Sequence, residues 1–272
     1  MHTQSYSDYL KTQQYGSGAN LDARIRIHQL NSNNKLGLPR WIFNKLQLHP
    51  EADILEVGCG TGNQWLSILE LIPSGWKLTL TDFSAGILAE AEQNLAGKLP
   101  NVRFQVADAQ ELPFPDHSFD AVVANQMLYH IPDRPKAFRE FQRVLRPGGK
   151  LYAATNGKHH MTALYAWADR FGLDTASVAA AAFRVGGFSL ENGAEQLEPY
   201  FDEVHLEAYH DALEVTEAGP LIDYIVSVLP AGILEENLHK LEQFQQWAQT
   251  EISEHGAIHI PKSAGLFIAT NR

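Results

Sequence analysis

The chain has 272 residues, 44% of them apolar, which suits one large α/β domain or a domain carrying a substantial insertion. Its formal charge of −11, with no compensating run of Lys and Arg, argues against a nucleic-acid partner, whose phosphates need basic surface. The single cysteine, Cys59, excludes an internal disulfide and a multi-cysteine zinc site, and no apolar run reaches the length of a membrane span.

Residues 1–20 are polar, with Tyr6, Tyr9 and Tyr15 set among Ser, Gln and Gly, and residues 1–10 lack the apolar centre of a signal peptide. A soluble, cytoplasmic protein is expected. Residues 21–30 place Leu21, Ile25 and Ile27 at spacings compatible with either helix or strand. Pro39 opens a helix over 39–48. Residues 54–62 read I-L-E-V-G-C-G-T-G, an apolar run entering three glycines at alternate positions, Gly58, Gly60 and Gly62. Residues 63–72 then offer a helical set of apolar side chains, so the stretch reads as buried strand, tight turn and helix start. Such a turn allows positive φ and close backbone approach to a ligand, and the free N–H groups of the helix start suit an anion.

A second strand over 77–82 ends in Asp82, twenty positions after Gly62, where an acid can accept hydrogen bonds from ribose hydroxyls. Ser84 is the expected N-cap of the next helix. Strands follow at 102–106, closed by Ala107-Asp108-Ala109, at 119–124, leading into Asn125-Gln126-Met127-Leu128-Tyr129-His130, and at 150–155 after Leu145-Arg146-Pro147-Gly148-Gly149. Helices with short connections alternate with these strands, the pattern of a doubly wound, mostly parallel sheet. After Thr155 the alternation stops. Helical stripes over 161–182 and 221–248 interrupt it, and strand-like runs at 202–206 and 265–270 complete a seven-stranded Rossmann-like sheet.

The ordered set E-V-G-C-G-T-G, T-D-F-S, A-D-A-Q-E-L-P-F and L-R-P-G-G resembles the class I S-adenosylmethionine-dependent methyltransferases, in the branch of small-molecule and ubiquinone/menaquinone-type methylases. The resemblance covers residues 53–155. It implies an N-terminal lid over 1–48 and a methyltransferase domain over 49–272, with helical cap insertions at about 157–198 and 212–260 above the ends of the strands. It implies S-adenosyl-L-methionine as cofactor, methyl transfer to oxygen or nitrogen of a small organic molecule, and a monomer or homodimer with no membrane partner.

The resemblance also assigns roles. The backbones of Gly58, Cys59, Gly60 and Gly62 lie against the methionyl and ribose parts, and Glu56 approaches the methionyl ammonium. Asp82 takes the ribose, Phe83 packs on the adenine, Asp108 accepts from the adenine amine and Ala109 N–H donates to a ring nitrogen. Asn125 serves the methionyl end. Tyr15, Arg24 and the 31–34 turn are lid candidates suited to a ligand bearing a carboxylate. Asn125 is followed by Gln-Met-Leu rather than Pro-Pro-aromatic, which argues against nucleobase and protein-amide acceptors.

Methyl transfer from a sulfonium needs a base only when the nucleophile arrives protonated. His130 is the best-placed candidate base, expected to titrate near neutrality, with His159 and His160 second. Each has an ordinary structural reading too. No metal site is expected, and Cys59 is expected to fill a crowded turn. An aromatic pocket drawn from Tyr165, Trp167, Phe171, Phe183, Phe188, Tyr224 and Trp247 is expected beneath the cap. The competing readings are a nicotinamide-dependent oxidoreductase, which prefers G-x-G-x-x-G to the G-x-G-x-G here, and a non-catalytic S-adenosylmethionine-binding protein.

Overall fold

A computed structural model describes residues 19–175, 187–229 and 234–272. Tyr15 and Phe183, both singled out above, lie outside them. The central sheet has the order β3-β2-β1-β4-β5-β9-β6. Its strands are β1 (Asp53–Val57), β2 (Lys77–Asp82), β3 (Val102–Val106), β4 (Phe119–Asn125), β5 (Leu145–Asn156), β6 (Asp202–Tyr209) and β9 (Ala264–Thr270). The pairs among β1 to β5 are parallel, and β9 runs antiparallel between β5 and β6. The strand order reverses between β1 and β4, and in open α/β sheets ligands bind at the carboxyl ends of the strands around such a switch point.

Alternation along β1 builds both faces of the sheet. Leu55 and Val57 join Phe119, Val122, Phe138, Phe141, Phe188 and Phe267 on one side. Ile54 joins Trp65, Leu78, Leu88 and Tyr152 on the other. The first face is covered by α5 (Arg134–Val144) and α7 (Gly193–Leu197). The second is covered by α2 (Leu38–Phe43), α3 (Asn63–Leu66) and α4 (Ala85–Leu95). Ser84 caps α4 by accepting from Ile87 N–H, as its position predicts.

A second group of elements, from the expected N-terminal and cap ranges, has a core of its own. It comprises α1 (Ala19–Asn31), α6 (Thr162–Arg170), α8 (Ala218–Val228), α9 (Leu234–His255) and a two-stranded ribbon of β7 (Ala212–Val215) and β8 (Ile258–Pro261). Ile27, Leu164, Leu213, Leu221, Ile225, Phe244 and Ile260 are fully buried together there. Each such side chain contributes about 1.5–3 kcal/mol by leaving water.

Several elements differ from the sequence reading. The helix expected over 63–72 is one turn, α3, followed by a 3₁₀ turn at Leu69–Leu71, because Ser67 ends α3 and the chain turns extended at Ile72 ahead of Pro73. The helix opened by Pro39 stops at Phe43. Residues 21–30 are helical, packed against α8. The ribbon β7–β8 was not expected.

Candidate active site

Gly58, Gly60 and Gly62 all adopt positive φ, at 69°, 56° and 80°. Their surroundings separate them. A Cβ at Gly58 would meet Met127 Cβ at 2.9 Å, and one at Gly60 would meet Leu21 Cδ2 at 3.0 Å. A Cβ at Gly62 would instead meet Leu95 Cδ1 of α4 at 2.8 Å. The first two therefore present backbone toward Met127 and the α1 side chain Leu21, whereas Gly62 allows close packing of α4. Cys59 sits between them, its side chain in the sheet–helix core, and burial pushes its thiol well above the usual range. Only its backbone is available to a ligand.

Asp82 latches this turn. Its Oδ2 accepts from Gly60 N–H at 3.0 Å and its Oδ1 from Ser84 N–H at 2.9 Å. A carboxylate has about four lone-pair sites, so both oxygens keep capacity for hydroxyl donors. Burial raises the pKa of Asp82 while these N–H groups oppose the rise. Phe83, 38% exposed, and Val106, 51% exposed, follow from the paired ends of β2 and β3. Asp108 lies just beyond on the same edge, its Oδ1 accepting from Gln110 N–H and Nε2. Ala109 is buried behind it. An exposed aromatic beside an acid in a turn can take a planar heterocycle bearing an amine.

At the ends of β1 and β4 lies a buried polar network. Glu56 is 1% exposed, its Oε2 accepting from Trp65 Nε1–H at 2.6 Å and its Oε1 from Asn125 Nδ2 at 3.3 Å. Asn125 Nδ2 also donates to Gln64 Oε1 at 3.4 Å. Burial pushes the Glu56 pKa up to about 7, with nearby Asp82 adding to the rise and the two hydrogen bonds opposing it. Two further acceptors, Asn125 Oδ1 and Gln126 Oε1, are buried with no hydrogen-bond partner among the described residues. Orphaned buried acceptors are costly, so this cluster is suited to a cationic donor. The residues present thus fit S-adenosylmethionine: acceptors for an ammonium, a carboxylate for ribose hydroxyls, and an exposed aromatic with an acid for adenine.

Sequence reasoning missed Trp65, Gln64, Leu21 and Met127, which touch the site through the fold rather than through a motif. Gln126, at φ 54°, carries a backbone signal invisible in its letter.

The remaining candidates lie toward the cap. Arg24 does not contact the glycine turn; its guanidinium donates from Nε to Ser227 Oγ (3.2 Å) and from Nη2 to Ser227 O (2.6 Å) on α8. The 31–34 turn is tied to the ribbon: Asn33 N–H donates to Ala212 O, and Ser32 Oγ and Asn34 N–H both donate to Asp211. It is an anchor of α1. His130 follows β4 in a 3₁₀ turn at Leu128–His130, and burial, with the Arg24 charge, pushes it down to about 4. It is therefore neutral near pH 7 instead of titrating there. His160 is likewise pushed to about 4, chiefly by burial, with Nδ1 against Ser263 O, and His159 is exposed.

The expected aromatic pocket divides. Phe188 packs on Phe138 and Phe267 in the sheet core, and Trp167, Phe171, Phe244 and Trp247 pack on one another within the cap. Tyr165 and Tyr224 remain, joined hydroxyl to hydroxyl at 2.8 Å. A separate surface hollow of about 540 Å³ is lined by Tyr209, Asp211 and Lys262 and by no residue of the glycine turn. Its Lys262–Asp211 ion pair is closed on itself and on Ser32.

Residues 55–153 match the family described as Methyltransferase domain. The chain is 37% identical over 114 residues to the ubiquinone/menaquinone biosynthesis C-methyltransferase UbiE of Hahella chejuensis, covering 41% of this chain and 46% of that protein. It is 31% identical over 191 residues to trans-aconitate 2-methyltransferase of Deinococcus radiodurans, covering 68% and 67%. The match spans about half the length of the UbiE-type curated relatives. Among solved structures, the fold is shared with Haemonchus contortus phosphoethanolamine N-methyltransferase 2 bound to S-adenosylhomocysteine, at TM-score 0.63 and 18% identity, covering 99% of this chain and 60% of that one. It is shared also with the YcgJ protein of Bacillus subtilis, at TM-score 0.58 and 19% identity, covering 86% and 97%.

Proposed function

The chain belongs to the class I S-adenosylmethionine-dependent methyltransferases, and on that footing we propose that it moves a methyl group to an oxygen or nitrogen of a small organic acceptor. The observation that carries this reading is the set of buried acceptors at Glu56, Asn125 and Gln126 beside a left-handed glycine turn latched by Asp82. When bound, S-adenosylmethionine supplies a methyl carbon already activated on sulfonium. The chain's own work is then to align the acceptor and exclude water.

In this reading Glu56 and the two orphaned amide oxygens receive the methionyl ammonium. Asp82 takes the ribose hydroxyls, and Phe83, Asp108 and Ala109 take the adenine. The described part of the N-terminal segment, residues 19–48, acts as a lid, with Leu21 against the turn. The relatives' names span carbon acceptors and an organic acid. Oxygen or nitrogen is the acceptor atom of this reading, with His130, held neutral near pH 7 by burial and the Arg24 charge, as its hydrogen-bond partner. A nucleophile that arrives unprotonated needs from His130 only a hydrogen bond. The protein works as a monomer or homodimer in the cytoplasm, without a nucleic-acid or membrane partner.

The test is product analysis: the enzyme is incubated with methyl-labelled S-adenosylmethionine and a panel of small acids, alcohols and amines. One label on oxygen or nitrogen is expected. Label on carbon, or cofactor bound with no acceptor methylated, contradicts the reading.

A pH effect follows from Glu56. A neighbouring ammonium favours the carboxylate, so binding must expel the proton that Glu56 holds below about pH 7. Affinity for S-adenosylhomocysteine is expected to be flat above pH 7 and about tenfold weaker by pH 6. Calorimetry in buffers of different ionisation enthalpy should register the released proton. Glu56→Gln should bind weakly with no such slope; a slope that persists in this variant assigns the proton elsewhere.

A further inference from the structure

Arg24, His28, Tyr129, His130, Tyr165 and Tyr224 come together where α1 and α8 meet the end of β4. Leu21, Arg24 and His28 share one face of α1, at spacings of three and four, so the helix runs from the glycine turn into this cluster. The ring of His28 stands edge-on to Tyr224 at 6.4 Å, and Tyr165 and Tyr224 share a hydroxyl hydrogen bond. The charge of Arg24 reaches His130, Tyr165 and Tyr224.

Three features of the cluster suit an anionic ligand. Arg24 has five N–H donors; two go to neutral oxygens of Ser227, and the other three have no acceptor among the described residues. Among the described residues no carboxylate pairs with it, in a chain with eleven excess negative charges. Two hydroxyl hydrogens belong to the tyrosine pair and one suffices for their mutual bond, which leaves the other without an acceptor among the described residues. His28 Nδ1 is buried with no hydrogen-bond partner among the described residues. Half-buried donors and a cation without a counter-charge are unfavourable unless a ligand completes them.

We propose that this cluster is the acid-recognising subsite for the methyl acceptor, which therefore carries a carboxylate that docks on Arg24 and the Tyr165–Tyr224 pair. The inference rests on the methyltransferase reading given above and names the substrate class within it. A planar carboxylate matches the free edge of a guanidinium, and its single charge matches the single cation. The carboxylate is an anchor; the atom that receives the methyl group lies elsewhere on the acceptor. An anchored anion would also offset the Arg24 charge that acts on His130.

The test uses the full-length protein saturated with S-adenosylhomocysteine. A panel of aliphatic and aromatic carboxylic acids is titrated in by calorimetry, each beside its uncharged amide, with phenyl phosphate as a further arm. At least one carboxylate should bind more than about tenfold tighter than its amide. Arg24→Gln should remove that preference by a similar factor while changing S-adenosylhomocysteine affinity less than about threefold, and Tyr224→Phe should weaken the acid by a smaller factor. Arg24→Lys, which keeps the charge but loses the planar fork, guards against misfolding and should fall between wild type and Arg24→Gln. Four results overturn the proposal: no carboxylate binding, equal binding of acid and amide, a preference for phenyl phosphate, or S-adenosylhomocysteine affinity falling in step with the acid in Arg24→Gln. The last would place the cofactor's own carboxylate on Arg24. Absence of S-adenosylhomocysteine binding by the wild-type protein would instead overturn the underlying methyltransferase reading.

Discussion

Gly60→Val is expected to abolish cofactor binding in a protein that still folds. At φ 56° a β-branched residue is strained by about 1–3 kcal/mol. Its Cβ would also stand 3.0 Å from Leu21 Cδ2, so α1 would have to shift. The added side chain occupies the space between the turn and α1 in which the proposed cofactor site places the ligand. Affinity should fall by more than about 100-fold, since strain and lost contacts add. Gly62→Ala is the control: its Cβ meets Leu95 on α4, so it should lower the melting temperature while the residual folded protein keeps its affinity. Circular dichroism beside calorimetry separates the two. A folded Gly60→Val that binds normally would make Gly60 merely structural.

Asp82→Ala should weaken S-adenosylhomocysteine by about 1.5–3 kcal/mol, the worth of hydrogen bonds to a charged acceptor, or on the order of 10- to 100-fold. The structure adds a second cause of loss. Asp82 also holds Gly60 N–H and Ser84 N–H, so alanine frees the turn as well as the ribose hydroxyls. Asp82→Asn keeps one acceptor oxygen and should lose less than alanine. Deoxy analogues of the nucleoside separate the contributions, because the ribose part disappears for a ligand lacking those hydroxyls and the turn part does not. Unchanged affinity in Asp82→Ala would remove the residue from the site.

The half of the candidate site built on β1 to β4 was legible because its chemistry is contiguous. Gly58, Gly60, Asp82, Asp108 and Asn125 each stand at the carboxyl end of a strand, and apolar runs followed by glycine or acid announce such ends. The cap was legible only in part. Residues 21–30 fit two periods, and what settles the helix is tertiary: Arg24 bonds Ser227, some two hundred positions away, and Asn31 Nδ2 donates to Ile27 O at its end. The ribbon pairs Ala212 with Pro261 across two intervening helices. Four-residue strands, one ending in proline, leave almost no period to read.

The aromatic pocket was misassigned for a related reason. An aromatic residue at helical spacing looks the same whether it lines a ligand or fills a core. Phe188 went to the sheet and Trp247 to the cap interior, whereas the tyrosines kept hydroxyls that needed partners. The low pKa of His130 was also out of reach, since it depends on burial and on a cation brought in by another helix.

Equilibrium titration of S-adenosylhomocysteine beside NAD probes the glycine turn itself as the S-adenosylmethionine site. One equivalent of S-adenosylhomocysteine should bind with a dissociation constant near micromolar, about −8 kcal/mol, with NAD showing no competition. Tight binding of NAD, or no binding of S-adenosylhomocysteine to the folded protein, would contradict it.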